Sequence, residues 1–219
     1  MPPAAMDCGD ELASVHVPDF QRAVNRCGGI HGSGANMAGG VRGPEQIETV
    51  RLVLRKPTSA DAEAVFSRYA SDPEVTRFLG WPRHRSIEET RSFLAFSDAA
   101  WQRWPAGPYL IESRKGQQLL GGTGLGFESP TLAMTGYVLA RDAWGYGYAT
   151  EALDAMVTVA RELGVRRLYA LCHLDNPASA HVLEKCGFIR ESLLERHAEF
   201  PNLGSGRAED CLCYSRTFE

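Results

Sequence analysis

The chain has 219 residues, of which 44% are hydrophobic and 23% charged, with a formal net charge of −4. That is enough apolar material for one well-filled domain. An acidic balance argues against a nucleic-acid partner, which calls for a basic surface.

The start, Met1-Pro-Pro-Ala-Ala-Met6-Asp7, has neither a cationic region nor an apolar run, so no signal peptide is read there. Cys27 to Gly43 holds seven glycines in seventeen positions with no period of two or 3.6. Such a segment cannot bury enough apolar surface to offset its backbone entropy. Residues 1–46 are therefore expected to be a disordered tail or a wrongly extended start, with Met37 as the true one, and residues 47–219 a single domain. Regular structure begins at Val50, where Val50, Leu52 and Leu54 alternate with Arg51, Val53 and Arg55 as a strand with one buried face. Pro57 ends it. Thr58-x-x-Asp61 has the form of a capping box, followed by Ala62, Val65, Phe66 and Tyr69 at helical spacing. Ser86-x-x-Glu89 repeats the device before a second helix reaching about Trp104, where Pro105 stops it.

Tyr109–Glu112 and Leu119–Gly126 read as a hairpin joined through Arg114-Lys-Gly116-Gln, and Met134–Leu139 as a further strand. The low-charge stretch from Leu119 to Ala140 is broken by five glycines and Pro130, which suits strands and turns, not a membrane helix. Ala149, Ala152, Leu153, Met156, Val157, Ala160 and Leu163 follow helical spacing, with Gly164 at the expected end. Leu168–Leu174 is an apolar strand, Ser179–Cys186 a short helix, and Phe188–Arg196 and Ala208–Ser215 closing strands. The fold class implied is α/β: a mixed sheet of about seven strands with helices on both faces. The six cysteines (8, 27, 172, 186, 211 and 213) contain no CxxC pair, which suggests reduced thiols in a cytoplasmic protein. Cys211-x-Cys213 points both side chains to one sheet face and reads as packing; no metal site is expected.

Two junctions carry chemistry. Trp144-Gly145-Tyr146-Gly147-Tyr148-Ala149-Thr150 lies between a strand and the start of the long helix. Glycines let backbone N–H groups approach an anion, and the helix end adds roughly half a positive charge. The loop lacks the lysine of a Walker site and the third glycine of a dinucleotide fingerprint, so a plain tight turn fits the spacing equally well. Asn176-Pro177-Ala178-Ser179 is, taken alone, an Asx turn or helix cap. Together the two junctions could face one cleft.

Here the chain resembles the GNAT superfamily of N-acetyltransferases, in particular its ribosomal-protein-acetyltransferase-like (RimJ/RimL-type) branch. The resemblance rests on Glu48-Thr-Val-Arg51-Leu-Val-Leu-Arg55, Gly136-Tyr-Val-Leu139, Trp144 to Ala152, Asn176-x-x-Ser179, and Val182-Leu-Glu-Lys185-x-Gly187-Phe188. It implies acetyl-CoA as the acetyl-donor co-substrate, with the pyrophosphate on Trp144–Thr150 and the pantetheine arm along Tyr137, Val138 and Leu139. Asn176 and Ser179 would then sit near the sulfur. Trp144 replaces a polar residue of the family pattern, and Arg141 is the candidate to compensate the charge. A splayed strand at Tyr137–Leu139 would aim an N–H at the thioester carbonyl.

Acyl transfer needs a neutral amine and a proton for the departing thiolate. The tyrosine many relatives use falls on Leu183, which leaves Ser179 as the candidate acid. The glutamate many carry falls on Thr135, which leaves Glu128 as the candidate base; His173 is a further relay candidate or a satisfied core histidine. Deprotonating a lysine amine of pKa about 10.4 near neutral pH costs roughly 4 kcal/mol, an α-amine of pKa about 8 only about 1 kcal/mol. A site without a strong base thus suits an α-amine. Arg77, Phe78 and Trp81 are the candidate acceptor contacts, with Arg77 and Arg83–Arg85 as anion holders. Three readings stay open: acetylation of a protein or peptide N-terminus, acetylation of a small amine, and a non-catalytic acyl-CoA sensor. A monomer or homodimer with no nucleic-acid or membrane partner is expected in each.

Overall fold

The computed structural model describes residues 41–219. Residues 1–40, with Cys8, Cys27 and Met37, lie outside the described residues. Residues 41–46, read above as part of the tail, are joined to the domain. The Arg42 guanidinium donates to the Trp101 carbonyl at 2.7 Å. The Gly43 N–H donates to the Pro105 carbonyl at 2.8 Å, and the Tyr109 hydroxyl to the Pro44 carbonyl at 2.7 Å.

The elements in chain order are β1 (Gln46–Glu48), β2 (Leu52–Arg55), α1 (Ala62–Val65), α2 (Pro73–Thr76), α3 (Ile87–Arg103), β3 (Pro108–Ser113) and β4 (Leu119–Ser129). There follow β5 (Leu132–Leu139), α4 (Tyr148–Glu162), β6 (Arg167–His173), α5 (Pro177–Lys185), β7 (Ile189–Glu199) and β8 (Ala208–Thr217). The expected α/β architecture is present, as one eight-stranded mixed sheet in the order β1-β2-β3-β4-β5-β6-β8-β7. The strand missing from the sequence reading is β1, which pairs antiparallel with β2. The expected strand start at Val50 is displaced for the same reason: Thr49–Arg51 forms the tight connection between β1 and β2. The Thr49 N–H donates to the Leu52 carbonyl at 2.9 Å, and Val50 is 86% exposed.

The sheet separates two cores. On one face Leu52, Leu54, Ile111, Leu125 and Phe127 pack against Leu153 and Met156 of α4 and Leu183 of α5. On the other, Leu110, Leu119 and Ala140 meet Val65, Tyr69 and Ala70 of α1 and the wide helical turn that follows it. Burying each such aliphatic side chain contributes about 1.5–3 kcal/mol. The Asp61 carboxylate reaches back to the Thr58 N–H at 2.7 Å, so the first capping box forms. The second does not: Glu89 accepts from the Arg85 N–H at 2.6 Å and the Ser86 hydroxyl makes no cap.

One departure from regular pairing creates the site. β5 and β6 are parallel, and they share only three registers, Leu132↔Arg167, Ala133↔Leu168 and Met134↔Tyr169. Beyond Met134 the two strands diverge, and backbone groups that a closed sheet would pair are left without a neighbouring strand.

Candidate active site

A cavity of about 810 Å³ fills the divergence, lined by Thr135–Leu139 on one side and Ala170–Cys172 on the other. Its sheet floor is glycine. Gly122 and Gly124 of β4 lie opposite Val138 and Gly136 of β5, and residues two apart share a face. A Cβ at Gly136 would meet nothing within 4 Å, whereas one at Gly124 would sit 2.8 Å from Pro108 Cα. Gly136 is open toward the cavity, and Gly124 is required by close backbone packing.

The loop before α4 forms the cavity's upper end. Gly145 and Gly147 both have positive φ, 80° and 77°, a conformation that costs a residue with a Cβ about 1–2 kcal/mol. Gly147 is the helix N-cap, and its carbonyl accepts the Glu151 N–H at 3.2 Å. The N–H groups of Tyr148, Ala149 and Thr150 thus have no intrahelical acceptor and suit an anion. Trp144, Gly145 and Ala149 line the cavity, while Gly147 and Thr150 line a shallow outer groove. Tyr146 is 63% exposed and stacks on Tyr148. Trp144 has another task than phosphate contact: its indole N–H donates to the Leu139 carbonyl at 2.8 Å, closing the last open carbonyl of β5. Arg141 is held by Asp72 at 2.9 and 3.1 Å, which turns its charge toward the cap of α2.

The cation that does reach this loop is Arg51. Its guanidinium donates to the Tyr146 carbonyl at 2.7 Å and to Glu151 at 2.6 Å and lies 4.8 Å from the centre of the Tyr148 ring. Glu151 also accepts from the Arg51 N–H at 2.8 Å and the Thr49 hydroxyl at 2.6 Å. Burial alone would raise the Glu151 carboxyl, but these donors and the Arg51 charge hold it below the usual range. The β1–β2 connection and the first turn of α4 thereby fix the loop's shape from outside the cavity.

At the junction of β6 and α5, Asn176 caps the helix and its side chain accepts the Ser179 N–H at 3.2 Å. Ser179 therefore stands inside the first turn, with its hydroxyl free of capping. That oxygen accepts from the Tyr137 hydroxyl at 3.1 Å. Tyr137, Cys172, Asn176 and Ser179 all line the cavity. Burial pushes the Tyr137 phenol above its ordinary range, so it stays protonated at neutral pH. Leu183 is 2% exposed and brings no proton donor.

Glu128, the candidate base, stands apart from the cavity. It lies beyond the paired end of the divergence, does not line the cavity, and its carboxylate accepts from the Tyr169 hydroxyl. Thr135, the position where a glutamate was looked for, is buried with its hydroxyl donating to the Gly124 carbonyl at 2.9 Å. His173 is satisfied: Nδ1 accepts the Asp175 N–H at 3.0 Å, with Phe78 stacked on the ring and Phe200 edge-on to it.

The end of the cavity toward α2 and α3 is walled by Arg77, Phe78 and Trp81, the candidate acceptor contacts, and by Glu74, His84, Glu89, Phe93 and Glu199. Arg83 and Arg85 do not line it. His84 was missed by sequence reasoning. It sits against Trp81 and Phe93, its Nδ1 is 2.8 Å from the Thr90 hydroxyl, and burial holds it below the ordinary imidazole range against the opposing pull of Glu89. The wall is pinned from a distant segment. The Asn202 side-chain amide donates to the Thr76 and Trp81 carbonyls at 2.7 and 2.8 Å, and its oxygen accepts the Arg83 N–H at 2.7 Å.

Among the described residues no group of three His, Cys, Asp or Glu side chains is placed to hold a metal ion, and no helix is long and apolar enough to cross a membrane. Burial pushes the Cys186 and Cys211 thiols up to about 12 and Cys213 to about 11. Protonated, buried thiols pack as small hydrophobes, as expected of the Cys211-x-Cys213 pair.

The acetyltransferase (GNAT) domain family matches residues 51–189. An uncharacterized N-acetyltransferase of Bacillus subtilis, YoaA, is 34% identical over 154 residues, covering 69% of this chain and 86% of that protein. The ribosomal-protein-serine acetyltransferase of Escherichia coli is 33% identical over 128 residues, 57% of this chain and 70% of that protein. A solved structure of RimL, a ribosomal L7/L12 α-N-protein acetyltransferase in complex with coenzyme A, superposes with a TM-score of 0.70 at 26% identity. It covers 80% of this chain and 98% of that one.

Proposed function

Because the chain belongs to the GNAT family of acetyltransferases, and is an acetyl-CoA-dependent N-acetyltransferase, we propose that its acceptor is the α-amine of a protein or peptide N-terminus. Transfer is direct, in a ternary complex. The observation that carries this reading is the acceptor wall. Glu74, Glu89 and Glu199 stand there against one cation, Arg77, among aromatic rings. Such a wall attracts a protonated amine, and a cation over an aromatic face gains further. The relatives that acetylate ribosomal proteins at serine or at the α-amine point the same way.

In this reading acetyl-CoA lies with its pyrophosphate on the N–H groups of Gly145–Thr150 and its pantetheine arm along Tyr137–Leu139. Asn176 and Ser179 lie near the sulfur. The amine loses its proton to water or to His84 and attacks the thioester carbonyl. Backbone N–H groups of β5, left unpaired by the divergence from β6, stabilise the oxyanion. The C–S bond then breaks with its electron pair on sulfur. Glu128 has no part in this scheme.

The test is acetyl-CoA-dependent thiol release with serine-starting tetrapeptides, their N-acetylated counterparts, and a panel of polyamines, amino acids and aminoglycosides. Free-amine peptides are expected to turn over and the blocked ones not. Turnover confined to the small amines would replace the acceptor, and no turnover at all would favour a sensor of acyl-CoA.

A further inference from the structure

The scheme above does not use the phenol of Tyr137, a proton-bearing group on the leaving-group side of the site. Its oxygen stands 3.1 Å from Ser179 Oγ and 3.4 Å from the Ser179 carbonyl oxygen. The ring rises from β5, on the opposite side of the cavity from α5, and packs against the core beneath α4. Tyr137 thus bridges β5 to α5, the helix that follows β6, at Ser179.

We propose that Tyr137 is the positioning residue for the leaving thiolate: its phenol donates to Ser179 Oγ and so turns the serine's own hydrogen toward the sulfur. This rests on the reading of Ser179 as the group beside the thioester. A serine hydroxyl rotates freely and carries one hydrogen and two lone pairs. Once Tyr137 occupies one lone pair, the orientations in which the serine would donate back to the phenol are removed. What remains for the hydrogen is Cys172 Sγ, which shares a hydrogen bond with the Ser179 hydroxyl, and the cavity that both residues line; a thiolate entering there is the stronger acceptor. Donation into Oγ also polarises the Ser179 O–H, since successive hydrogen bonds reinforce each other.

The atoms balance without an anionic tyrosine. The amine lone pair forms the C–N bond, and the C–S bond breaks with its electrons on sulfur. The Ser179 hydroxyl donates a hydrogen bond to the thiolate, the proton shed by the amine goes to water, and the thiolate takes its proton from water. Tyr137 keeps its proton throughout, as its burial favours.

The test is a double-mutant cycle of Tyr137→Phe, Ser179→Ala and the pair, read in two ways. The first reading needs no acceptor: the ultraviolet absorbance of the CoA thiolate is titrated on the protein–CoA complex, with dephosphorylated and desulfo coenzyme as controls. Each single variant is expected to raise the pH at which the bound thiol ionises by about one unit, the scale of one hydrogen bond to a charged atom. The pair should raise it no further than Ser179→Ala alone. The second reading is kcat with the best tetrapeptide, expected to fall about tenfold in each single variant and no further in the pair. The acetyl-CoA Kd should stay within twofold. A silent Tyr137→Phe overturns the proposal, and so do additive effects, which mean that Tyr137 does not act through Ser179. A silent Ser179→Ala overturns the underlying reading of the serine, and failure of CoA to bind the unaltered protein overturns the assignment of the cavity.

Discussion

Filling the floor of the cavity separates stability from activity. A valine at Gly136 has room, because a Cβ there meets nothing within 4 Å, and Gly136 faces the cavity from the middle of β5. Glycine inside a strand costs roughly 0.5–1 kcal/mol and β-branched residues suit strands. Gly136→Val is therefore expected to hold or raise stability by up to about 1 kcal/mol, a Tm change of about 0 to +4 °C for a domain of this size. In the proposed binding mode the same isopropyl group takes the space of the thioester. We expect kcat/KM to fall at least a hundredfold, which is about 2.7 kcal/mol of lost transition-state stabilisation. Gly124→Ala is the counterpart one strand away. Its new Cβ would be 2.8 Å from Pro108 Cα and 2.9 Å from the Gly107 carbonyl oxygen, both backbone atoms that cannot swing aside. Overpacking of that kind costs about 1–3 kcal/mol, so Gly124→Ala should lower Tm by several degrees. Differential scanning fluorimetry and steady-state thiol release decide the matter. A Gly136→Val protein with full activity would show that the chemistry lies elsewhere, and one that melts early would show that the space is not open.

Two clamps give further expectations. Arg51→Ala removes the guanidinium from the Tyr146 carbonyl and from Glu151, so CoA should bind about tenfold more weakly by calorimetry while pantetheine, which lacks the pyrophosphate, binds as before. Equal losses for both ligands, or none, would dismiss Arg51 as an organiser of the loop. Asn202→Ala frees the acceptor wall from three hydrogen bonds. It should raise the amine KM about tenfold with the acetyl-CoA Kd within twofold, and it should speed hydrogen exchange at residues 77–84 by at least tenfold. Unchanged exchange there would mean that the wall is held by something other than Asn202.

What was legible in the sequence follows the range of the interactions. Helix α4 was plain because Ala152, Leu153, Met156 and Ala160, spaced by the helical period, are all buried. Gly147 and Gly164 mark its ends by their positive φ. The glycine loop before α4 is legible from its spacing, as a tight turn or an anion site alike, and the splayed strand only from resemblance; the structure has positive-φ glycines in the first and the divergence from β6 in the second. β1 escaped notice because three partly exposed residues carry no period, and their strand character comes from pairing with β2. Val50 was misread because its alternation continues that of Leu52 and Leu54 through what is in fact a turn. Glu128 was proposed for proximity along the chain, but the divergence opens at the other end of the strand. Arg51 and Asn202 act on partners brought together by the fold: Arg51 and Tyr146 are 95 residues apart, Asn202 and Thr76 126 apart. Periodicity does not register such pairs. Pro201-Asn202 reads only as a turn, and His84 sits in a segment whose arginines drew the attention.

The divergence of β5 from β6 also gives this sheet four edges where an ordinary open sheet has two. Besides β1 and β7, the facing sides of β5 and β6 present rows of amide and carbonyl groups with no strand beside them. Such rows recruit any extended chain that carries amides of its own. In the binding mode proposed above, the pantetheine arm of the coenzyme is a short chain of that type and enters as a guest strand. An unrelated polypeptide would be an equally good guest if the gap stood open. The strap that Asn202 ties down at Thr76, Trp81 and Arg83 walls the same cavity with Phe78 and Trp81. With the acceptor proposed above, its second office would be to admit a single amine terminus while turning away the continuous strand that an uncovered edge would invite.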